Sequence, residues 1–367
     1  MRENFLQVLE RQPSINGRYN NVRRIGHEGG DGAFSILLSA DDAVTGRRIA
    51  LKFFDPRSTH DSYRMACFER ESQVLKRLSG QEHILQIVDE VRVFDFTMTE
   101  RDTGIEFQIP VRFIATELAE SSVHDALYTG KLKSPLRLLG IFRSICKGVR
   151  RIHGNQICHR DIKPSNCLLV DRKNIRVSDF GTARSLDGTI ASPQVLYRAP
   201  VGDTRYSAPE LLCGLDGPSR FQCEADMYSL GAILYELFTQ APLGLHLQSV
   251  INSLLGNFSV IPDRDKQKVF DNIVATVANQ NPLPDILNSA PPEGVPRCIL
   301  HPLDSLYKGL ACLDYRKRLT SWDSIFNQLN IMTIRLRKEM EQQRKATYRR
   351  FQRERRKFAN QIAPAQG

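Results

Sequence analysis

The sequence lacks any long apolar run. Its longest apolar stretches, such as residues 230–234, are far shorter than the roughly 20 residues that cross a bilayer as a helix. The N-terminal stretch MRENFLQVLERQ mixes charges with its apolar side chains and is not typical of a secretory signal. We therefore expect no transmembrane segment and a cytoplasmic location.

The sequence also lacks any C-x-x-C pair, although it contains eight cysteines. Paired cysteines at short spacing are typical of zinc sites and of redox motifs, and disulfide frameworks are typical of small secreted domains. Several of the cysteines lie in apolar stretches instead. We expect buried, reduced thiols at Cys67, Cys146, Cys158, Cys167, Cys213, Cys223, Cys298 and Cys312.

Acidic residues are scarce in one region only. The chain of 367 residues carries a formal net charge of +10, with 41% hydrophobic and 25% charged residues, which is ordinary for a globular protein. Residues 333–358 contain eleven Lys or Arg against three Glu, a balance of +8. The rest of the chain is close to neutral, so any partner that the basicity implies binds the tail.

The most informative stretch is residues 158–181, CHRDIKPSNCLLVDRKNIRVSDFG. It carries Asp161 and Asp179 on two short turns, and the alternation of apolar and polar residues between them predicts a tight hairpin. Lys163 and Asn166 follow the first aspartate closely. A carboxylate that orients a hydroxyl, a nearby cation, and an Asn and an Asp that hold a metal are what phosphoryl transfer requires.

These motifs resemble the catalytic core of the protein kinases. The likeness rests on the His-Arg-Asp triplet at residues 159–161, on Asn166, and on the Asp-Phe-Gly triplet at residues 179–181, with 18 residues from one aspartate to the other. The resemblance implies an α+β, two-lobed fold, with a small, mainly antiparallel β lobe that contains one key helix and a larger, mainly helical lobe. It also implies ATP and Mg²⁺ as cofactors and a protein substrate.

The family also implies roles for the residues of this stretch. Asp161 would orient the substrate hydroxyl, and Lys163 would neutralise charge on the transferring phosphoryl group. Asn166 and Asp179 would hold magnesium. The form HRDIKPSN, with a lysine at this position, resembles the serine/threonine kinases rather than the tyrosine kinases.

A glycine-containing loop precedes the second predicted strand. Glycines there would let the backbone close over phosphates. In the family this loop reads G-x-G-x-x-G-x-V. Gly30 and Gly32 match its first two glycines, Ser35 replaces the third, and Leu37 replaces the valine.

Lys52 lies in the apolar strand IALKFF, and a buried lysine requires an acidic partner. By resemblance it binds the α- and β-phosphates, with Ala50 over the adenine. Glu69 and Glu71 on the following helix are both candidates for its partner, and the resemblance favours Glu71. Catalysis would thus depend on Lys52 together with Asp161 and Lys163, which lie in the predicted catalytic loop at residues 159–166.

The hinge between the lobes is predicted at residues 116–119. The backbone of Glu117 and Ala119 would bind adenine, with Thr116 behind it, and Leu168 would form the floor of the nucleotide site. An ordinary strand end remains an alternative for this segment.

Residues 181–206 correspond to the activation segment, which the arginine before the catalytic aspartate would order once the segment is phosphorylated. Asp203 departs from the family's Gly-Thr pair, and Thr204 would replace the missing threonine contact to Asp161. Autophosphorylation is expected among Thr189, Ser192 and Thr204.

Three later motifs match the protein kinases and not the small-molecule kinases of similar fold. They are Ala-Pro-Glu at residues 208–210, a predicted helix start at residues 226–231, and Arg318 as the partner of Glu210. A further helix is predicted from Ser134 as its cap and Pro135 as its first residue.

These patterns predict three regions. Residues 1–19 form an N-terminal extension, residues 20–330 a protein kinase domain with lobes at about 20–118 and 120–330, and residues 331–367 a basic, helical C-terminal tail. The alternative is a pseudokinase scaffold that binds partners. The tail is either a solvated or self-docking helix or a binding site for a protein, nucleic acid or lipid.

Overall fold

The computed structural model describes residues 2–25, 31–32, 35–99, 106–171, 174–190, 202–215, 219–290 and 295–362. An antiparallel sheet dominates up to residue 117, and helices dominate thereafter. This arrangement is the predicted α+β class, with a small, mainly antiparallel β lobe and a larger, mainly helical lobe.

The smaller lobe consists of one antiparallel sheet and two helices. The strands run β1-β2-β4-β5-β7-β6, and β3 pairs with β4. Its elements are α1 (Arg2–Arg11), β1 (Ser14–Ile15), β2 (Tyr19–Arg24), β3 (Asp31–Gly32), β4 (Ser35–Asp42), β5 (Arg48–Phe54), a 3₁₀ turn (Pro56–Ser58), α2 (Ser62–Arg77), β6 (Ile87–Thr99) and β7 (Glu106–Glu117).

The N-terminal extension belongs to the core of this lobe. Phe5, Leu6 and Leu9 of α1 are buried against the sheet. The Phe5 ring meets that of Phe96 edge-on at 4.9 Å between centroids and also contacts Phe53. Helix α1 therefore supports the sheet that carries the nucleotide-site candidates.

The larger lobe is mainly helical, with short strands around the catalytic stretch. Its elements are β8 (Ser121–Ser122), α3 (Val123–Tyr128), α4 (Pro135–Gly154), β9 (Ile157–Cys158), a 3₁₀ turn (Pro164–Asn166), β10 (Cys167–Leu169), β11 (Ile175–Val177), β12 (Arg184–Ser185), α5 (Pro209–Leu212), α6 (Ser219–Thr239), α7 (Leu243–His246), α8 (Gln248–Phe258), α9 (Asp263–Gln280), α10 (Ile286–Ser289), α11 (Arg297–Leu310), a 3₁₀ turn (Tyr315–Lys317) and α12 (Trp322–Ile362).

The predicted hairpin of the catalytic stretch is confirmed, since β10 and β11 pair antiparallel. Helix α4 begins at Pro135 as expected, but the Ser134 side chain makes no capping hydrogen bond. The motif at residues 226–231 is not a helix start, because α6 begins at Ser219.

Helix α12 crosses the predicted boundary at residue 330 without a break. Ile325, Leu329, Met332 and Leu336 are all buried in the core of the larger lobe. Residues 340–355 are exposed apart from the half-buried Gln352, with exposed fractions of 64% at Tyr348 and 55% at Phe351. No helix in the described ranges is both long and apolar enough to span a membrane.

Two truncations should separate the packed part of α12 from its exposed part. Deletion from residue 331 removes Met332 and Leu336, and loss of each such buried side chain typically costs about 2–5 kcal/mol. We expect the free energy of unfolding in urea to fall by at least about 4 kcal/mol. Deletion from residue 340 should leave it unchanged, and equal effects of the two truncations would contradict the observed packing.

Candidate active site

The catalytic loop fixes both carboxylate oxygens of Asp161. Lys163 Nζ lies 2.8 Å from Oδ2, and Asn166 Nδ2 donates to the same oxygen at 3.2 Å and to the Asp161 carbonyl at 2.9 Å. The backbone N–H of Asp203 donates to Oδ1 at 3.1 Å. Because each oxygen has a defined donor, the side chain is oriented before any substrate binds.

The loop itself is anchored to the middle of α6 by Asp226. This fully buried carboxylate accepts the backbone N–H groups of His159 and Arg160, each at 2.8 Å, and lies 2.9 Å from His153 Nε2. Arg160 has a left-handed backbone (φ 70°), which a non-glycine residue adopts only when its surroundings enforce it. Asp226 supplies that constraint.

His159 connects the catalytic loop to the Asp-Phe-Gly triplet. Its ring lies 4.9 Å from the Phe180 ring, and its Nε2 lies 2.9 Å from the Ser178 carbonyl oxygen. The Ser178 hydroxyl in turn donates to the Asn166 carbonyl. These contacts fix Asp161 and Asp179 relative to each other.

Lys52 joins the smaller lobe to Asp179. Its Nζ lies 2.6 Å from Glu71 Oε2 and 3.5 Å from Asp179 Oδ1. Of the two candidate glutamates, the structure places Glu71 against Lys52, whereas Glu69 faces Arg112 at 3.7 Å. The sheet, helix α2 and the catalytic stretch thus meet at one ammonium group.

The pKa values of Asp161 and Asp179 are shifted in opposite directions by their surroundings. The positive charge of Lys52 lowers the pKa of Asp179 below its ordinary value, despite burial. Burial raises the pKa of Asp161, and Lys163 only partly opposes this shift. For Lys52, burial lowers the pKa, but the charges of Asp179 and Glu71 outweigh it and raise the pKa overall. Asp179 therefore stays ionised more readily than Asp161.

Asn166 and Asp179 fit a magnesium site. Mg²⁺ prefers oxygen ligands and is usually bound by one or two protein groups together with substrate phosphates. Asp179 supplies an ionised carboxylate, and Asn166 directs its amide nitrogen at Asp161, which leaves its amide oxygen for a metal. In the described ranges no three His, Cys, Asp or Glu residues cluster as a metal site.

Three other residues predicted to bind the nucleotide lie on strands β4 and β5 of the sheet. Leu37 lies opposite Lys52 in the β4–β5 pair, and Ala50 lies opposite the buried Thr116 in the β5–β7 pair. Ser35 pairs with Gly32 in the β3–β4 pair. Gly30 lies outside the described residues.

The predicted hinge is tied to the larger lobe on one side. The Glu117 carboxylate accepts hydrogen bonds from the Gln86 backbone N–H and from Arg176 Nε, both at 2.9 Å. Leu168 on β10 and Ala119 in the hinge are both half-buried. Since the Glu117 side chain is engaged by protein groups, ligand binding there falls to the backbone.

A family model described as the protein kinase domain matches residues 20–330. The chain belongs to the protein kinase family. This match confirms the family that the two aspartate motifs predicted.

The relatives of this kinase come from distant organisms. The probable serine/threonine-protein kinase PknB of Corynebacterium glutamicum is 30% identical over 58% of this chain and 30% of the relative. Mitogen-activated protein kinase HOG1 of Kluyveromyces lactis is 28% identical over 85% of this chain and 63% of the relative. Cyclin-dependent kinase 20 of Homo sapiens is 32% identical over 58% of this chain and 56% of the relative. The kinase thus spans less than two thirds of each of these proteins.

The end of the kinase activation segment departs from the sequence expectation. Thr204 makes no hydrogen bond to Asp161 in the described part of the chain; the backbone N–H of Asp203 does. Gly202 has φ +91°, and a Cβ there would lie 2.2 Å from Ser207 Oγ and 2.9 Å from the Arg160 carbonyl oxygen. Only glycine lets the chain turn this closely over the catalytic loop.

Two arginines of α2 that sequence reasoning missed contact the kinase activation segment. Arg70 donates to the Gly181 carbonyl at 2.6 Å. Arg77 bridges to Asp187 at 2.7 Å and donates to Thr189 Oγ1 at 2.5 Å. Nothing in the sequence distinguished them from solvated helix charges, because their partners lie more than 100 residues away.

The predicted late ion pair is present and fully buried. Arg318 contacts both carboxylate oxygens of Glu210, at 2.5 and 3.1 Å, and neither side chain is exposed. The guanidinium also donates to the carbonyl oxygens of Cys312 and Glu224. This bidentate pair fastens the end of the activation segment to the base of the kinase's larger lobe.

Proposed function

We propose that this kinase transfers the γ-phosphate of ATP, with Mg²⁺, to serine or threonine hydroxyls of protein substrates. The observation that carries the proposal is the geometry around Asp161: an oriented carboxylate with a lysine at 2.8 Å, next to an Asp179 that is itself tied to Lys52. Serine/threonine kinases among the relatives support the same substrate class.

Each protein group has a separate task. Asp161 accepts the hydrogen bond of the substrate hydroxyl and orients its oxygen. Lys163 lies beside the same carboxylate and balances the charge that develops on the transferring group. Lys52, positioned by Glu71, binds the nucleotide phosphates. Asn166 and Asp179 would hold Mg²⁺, whose charge would neutralise the phosphates.

The substrate class is tested by phosphoamino-acid analysis. The purified chain is incubated with labelled ATP, magnesium and a generic basic protein, and the labelled product is hydrolysed. We expect phosphoserine and phosphothreonine, and no label when the metal is chelated with EDTA. Phosphotyrosine alone would contradict the substrate class, and label in EDTA would contradict the metal requirement.

The pseudokinase alternative has two supports, Ser35 in place of a glycine and Asp203 in place of a threonine. The Asp203 departure is compensated in part, because its backbone N–H still contacts Asp161. The scaffold function predicts nucleotide binding without phosphate transfer, and the assay above separates the two.

Removal of Lys163 is expected to change the pH dependence of the kinase. Only the carboxylate form of Asp161 accepts a hydrogen bond from the substrate. Lys163 lowers the pKa of Asp161 against the effect of burial, so Lys163→Ala raises that pKa further. As pH falls, activity should then be lost at a higher pH than in the parent.

The measurement is kcat/KM across the acidic range, which reports the pKa of groups in the unliganded enzyme. Lys147→Ala, on the exposed surface of α4, is the matched control and should leave the profile unchanged. An acidic limb that stays in place in Lys163→Ala would contradict the coupling.

We also propose autophosphorylation within the activation segment, at Thr189, Ser192 or Thr204. Ser192 lies outside the described residues. In support, Arg77 already contacts the Thr189 hydroxyl, so a cation is in place for a phosphate there. Intact mass and peptide mapping after incubation with ATP test the proposal, and an unmodified segment in an active enzyme would contradict it.

For the exposed part of α12 we propose an acidic protein partner. Met340, Tyr348 and Phe351 are exposed among basic residues, which suits an acidic surface with an apolar centre. The alternative partner is nucleic acid. RNA binding that is lost on deletion from residue 340 would favour that alternative over a protein.

We place the kinase in the cytoplasm, in keeping with its cysteines, all of which are unbonded thiols.

A further inference from the structure

Two thiols lie within contact distance at the base of the catalytic loop. Cys158 ends strand β9 and directly precedes His159, and Cys223 lies in helix α6. Their sulfur atoms are 2.8 Å apart although the residues are 65 positions apart in sequence. Cys158 is fully buried, and Cys223 is partly exposed.

The surroundings make Cys223 the more reactive of the two. A hydrogen bond between the two sulfur atoms lowers the pKa of Cys223 and raises that of Cys158, and the nearby charge of His153 also lowers the pKa of Cys223. His153 is held towards its charged form by the Asp226 carboxylate, which raises the pKa of His153 above its ordinary value in spite of burial. A thiolate with access to solvent is the form that reacts with oxidants.

We propose that Cys158 and Cys223 form a reversible disulfide when the kinase meets hydrogen peroxide, and that this bond fastens the catalytic loop to α6. The Cys223 thiolate attacks one peroxide oxygen, which gives a sulfenic acid and hydroxide. The sulfur of Cys158 then attacks the Cys223 sulfur, and the sulfenic oxygen leaves as water. In total two thiols are oxidised, and peroxide is reduced to two molecules of water.

The bond requires a small but consequential movement. A disulfide has a sulfur–sulfur distance of about 2.05 Å, so the two atoms must approach by about 0.8 Å. Cys158 is joined to the catalytic loop on one side and pairs with Arg184 of the activation segment on the other. A displacement of about 1 Å in an active site can lower a rate about 100-fold.

We therefore expect the oxidised kinase to be less active, at least about tenfold, with recovery after reduction. This effect on activity rests on the proposed kinase function. Formation of the bond does not, because it is observed by mass alone.

The test treats the purified, reduced full chain with hydrogen peroxide and divides the sample. One portion is unfolded in denaturant, its remaining thiols are blocked with N-ethylmaleimide, and its intact mass and cross-linked peptides are measured. The other portion is assayed, still folded, for phosphate transfer. We expect one cross-linked peptide pair that contains residues 158 and 223, and a tenfold or greater loss of transfer that dithiothreitol reverses. Alkylation of both cysteines after peroxide treatment would overturn the proposal.

Cys223→Ser is the decisive variant. It should keep the activity of the reduced parent, form no cross-link, and retain its activity in peroxide. Cys312→Ser, at a partly exposed cysteine elsewhere, should behave like the parent. Equal loss of activity in Cys223→Ser and in the parent, or unchanged activity in a fully cross-linked parent, would overturn the regulatory effect. A cross-link in a chain that transfers no phosphate even when reduced would leave the disulfide intact and refute the kinase function instead.

Discussion

Asp161→Asn is expected to lower kcat by about 10²- to 10⁴-fold, the range that a positioned base typically contributes. The amide matches the carboxylate in size, so Asn166, Lys163 and the Asp203 backbone still surround it. What is lost is the negative charge that draws the hydrogen bond of the substrate hydroxyl. Binding of ATP should be retained, because Lys52 and Asp179 are unchanged.

The same variant should not destabilise the fold. Burial raises the pKa of Asp161, so the folded protein disfavours the ionised side chain relative to an unburied one. Replacement by a neutral amide removes that cost, and Lys163 keeps access to solvent. Asp323→Asn, at a side chain that is 92% exposed, is the matched control for loss of one carboxylate. A substantial drop in thermal stability of Asp161→Asn would contradict this account of the loop.

Arg318→Ala is expected to lower the stability of the fold, whereas Asp161→Asn is expected to lower catalysis and leave stability unchanged. Neither Arg318 nor Glu210 is exposed, so the variant leaves a buried carboxylate without its partner. Breaking such a pair from one side typically costs about 3–5 kcal/mol. Two backbone carbonyl groups, of Cys312 and Glu224, lose their donor as well. Urea unfolding followed by fluorescence measures the change.

A double variant separates the buried charge from the lost packing. Arg318→Met together with Glu210→Gln removes both charges and keeps most of the volume, so it should be more stable than Arg318→Ala. If the single variant cost less than about 1 kcal/mol, the pair would be behaving like an exposed one. That result would contradict its burial.

The sequence was most informative where chemistry requires fixed residue types at short spacing. The two aspartate motifs, Asn166 and the strand lysine could be placed together because each task in phosphoryl transfer tolerates few side chains. The hairpin that follows Asp161 was predictable for another reason, since apolar periodicity records which face is packed.

Contacts between distant segments were predictable only where the family resemblance supplied them, as for Glu71 with Lys52 and Glu210 with Arg318. Glu69 and Glu71 lie on the same helix, and only the packing of α2 against the sheet places Glu71 beside Lys52. The Asp203 contact to Asp161 comes from the backbone, which carries no side-chain signal. The pair of Cys158 and Cys223 depends on the meeting of β9 and α6, which no local pattern records.

The course of α12 was missed for a further reason. Met332 and Leu336 are followed at once by the charged residues 337–339, so their stripe looks like the start of a solvated basic helix. Burial of one narrow face against α4 and α11 is enough to make this part integral to the larger lobe.

The most direct test is the initial rate at which labelled γ-phosphate moves from ATP to a generic basic protein, measured with magnesium for the parent chain and for Asp161→Asn. We predict steady transfer by the parent and at least a 100-fold lower rate in the variant, with equal ATP binding in both. Equal rates would show that another protein in the preparation carries the activity. Absence of transfer by a parent that binds ATP would contradict the catalytic function proposed here.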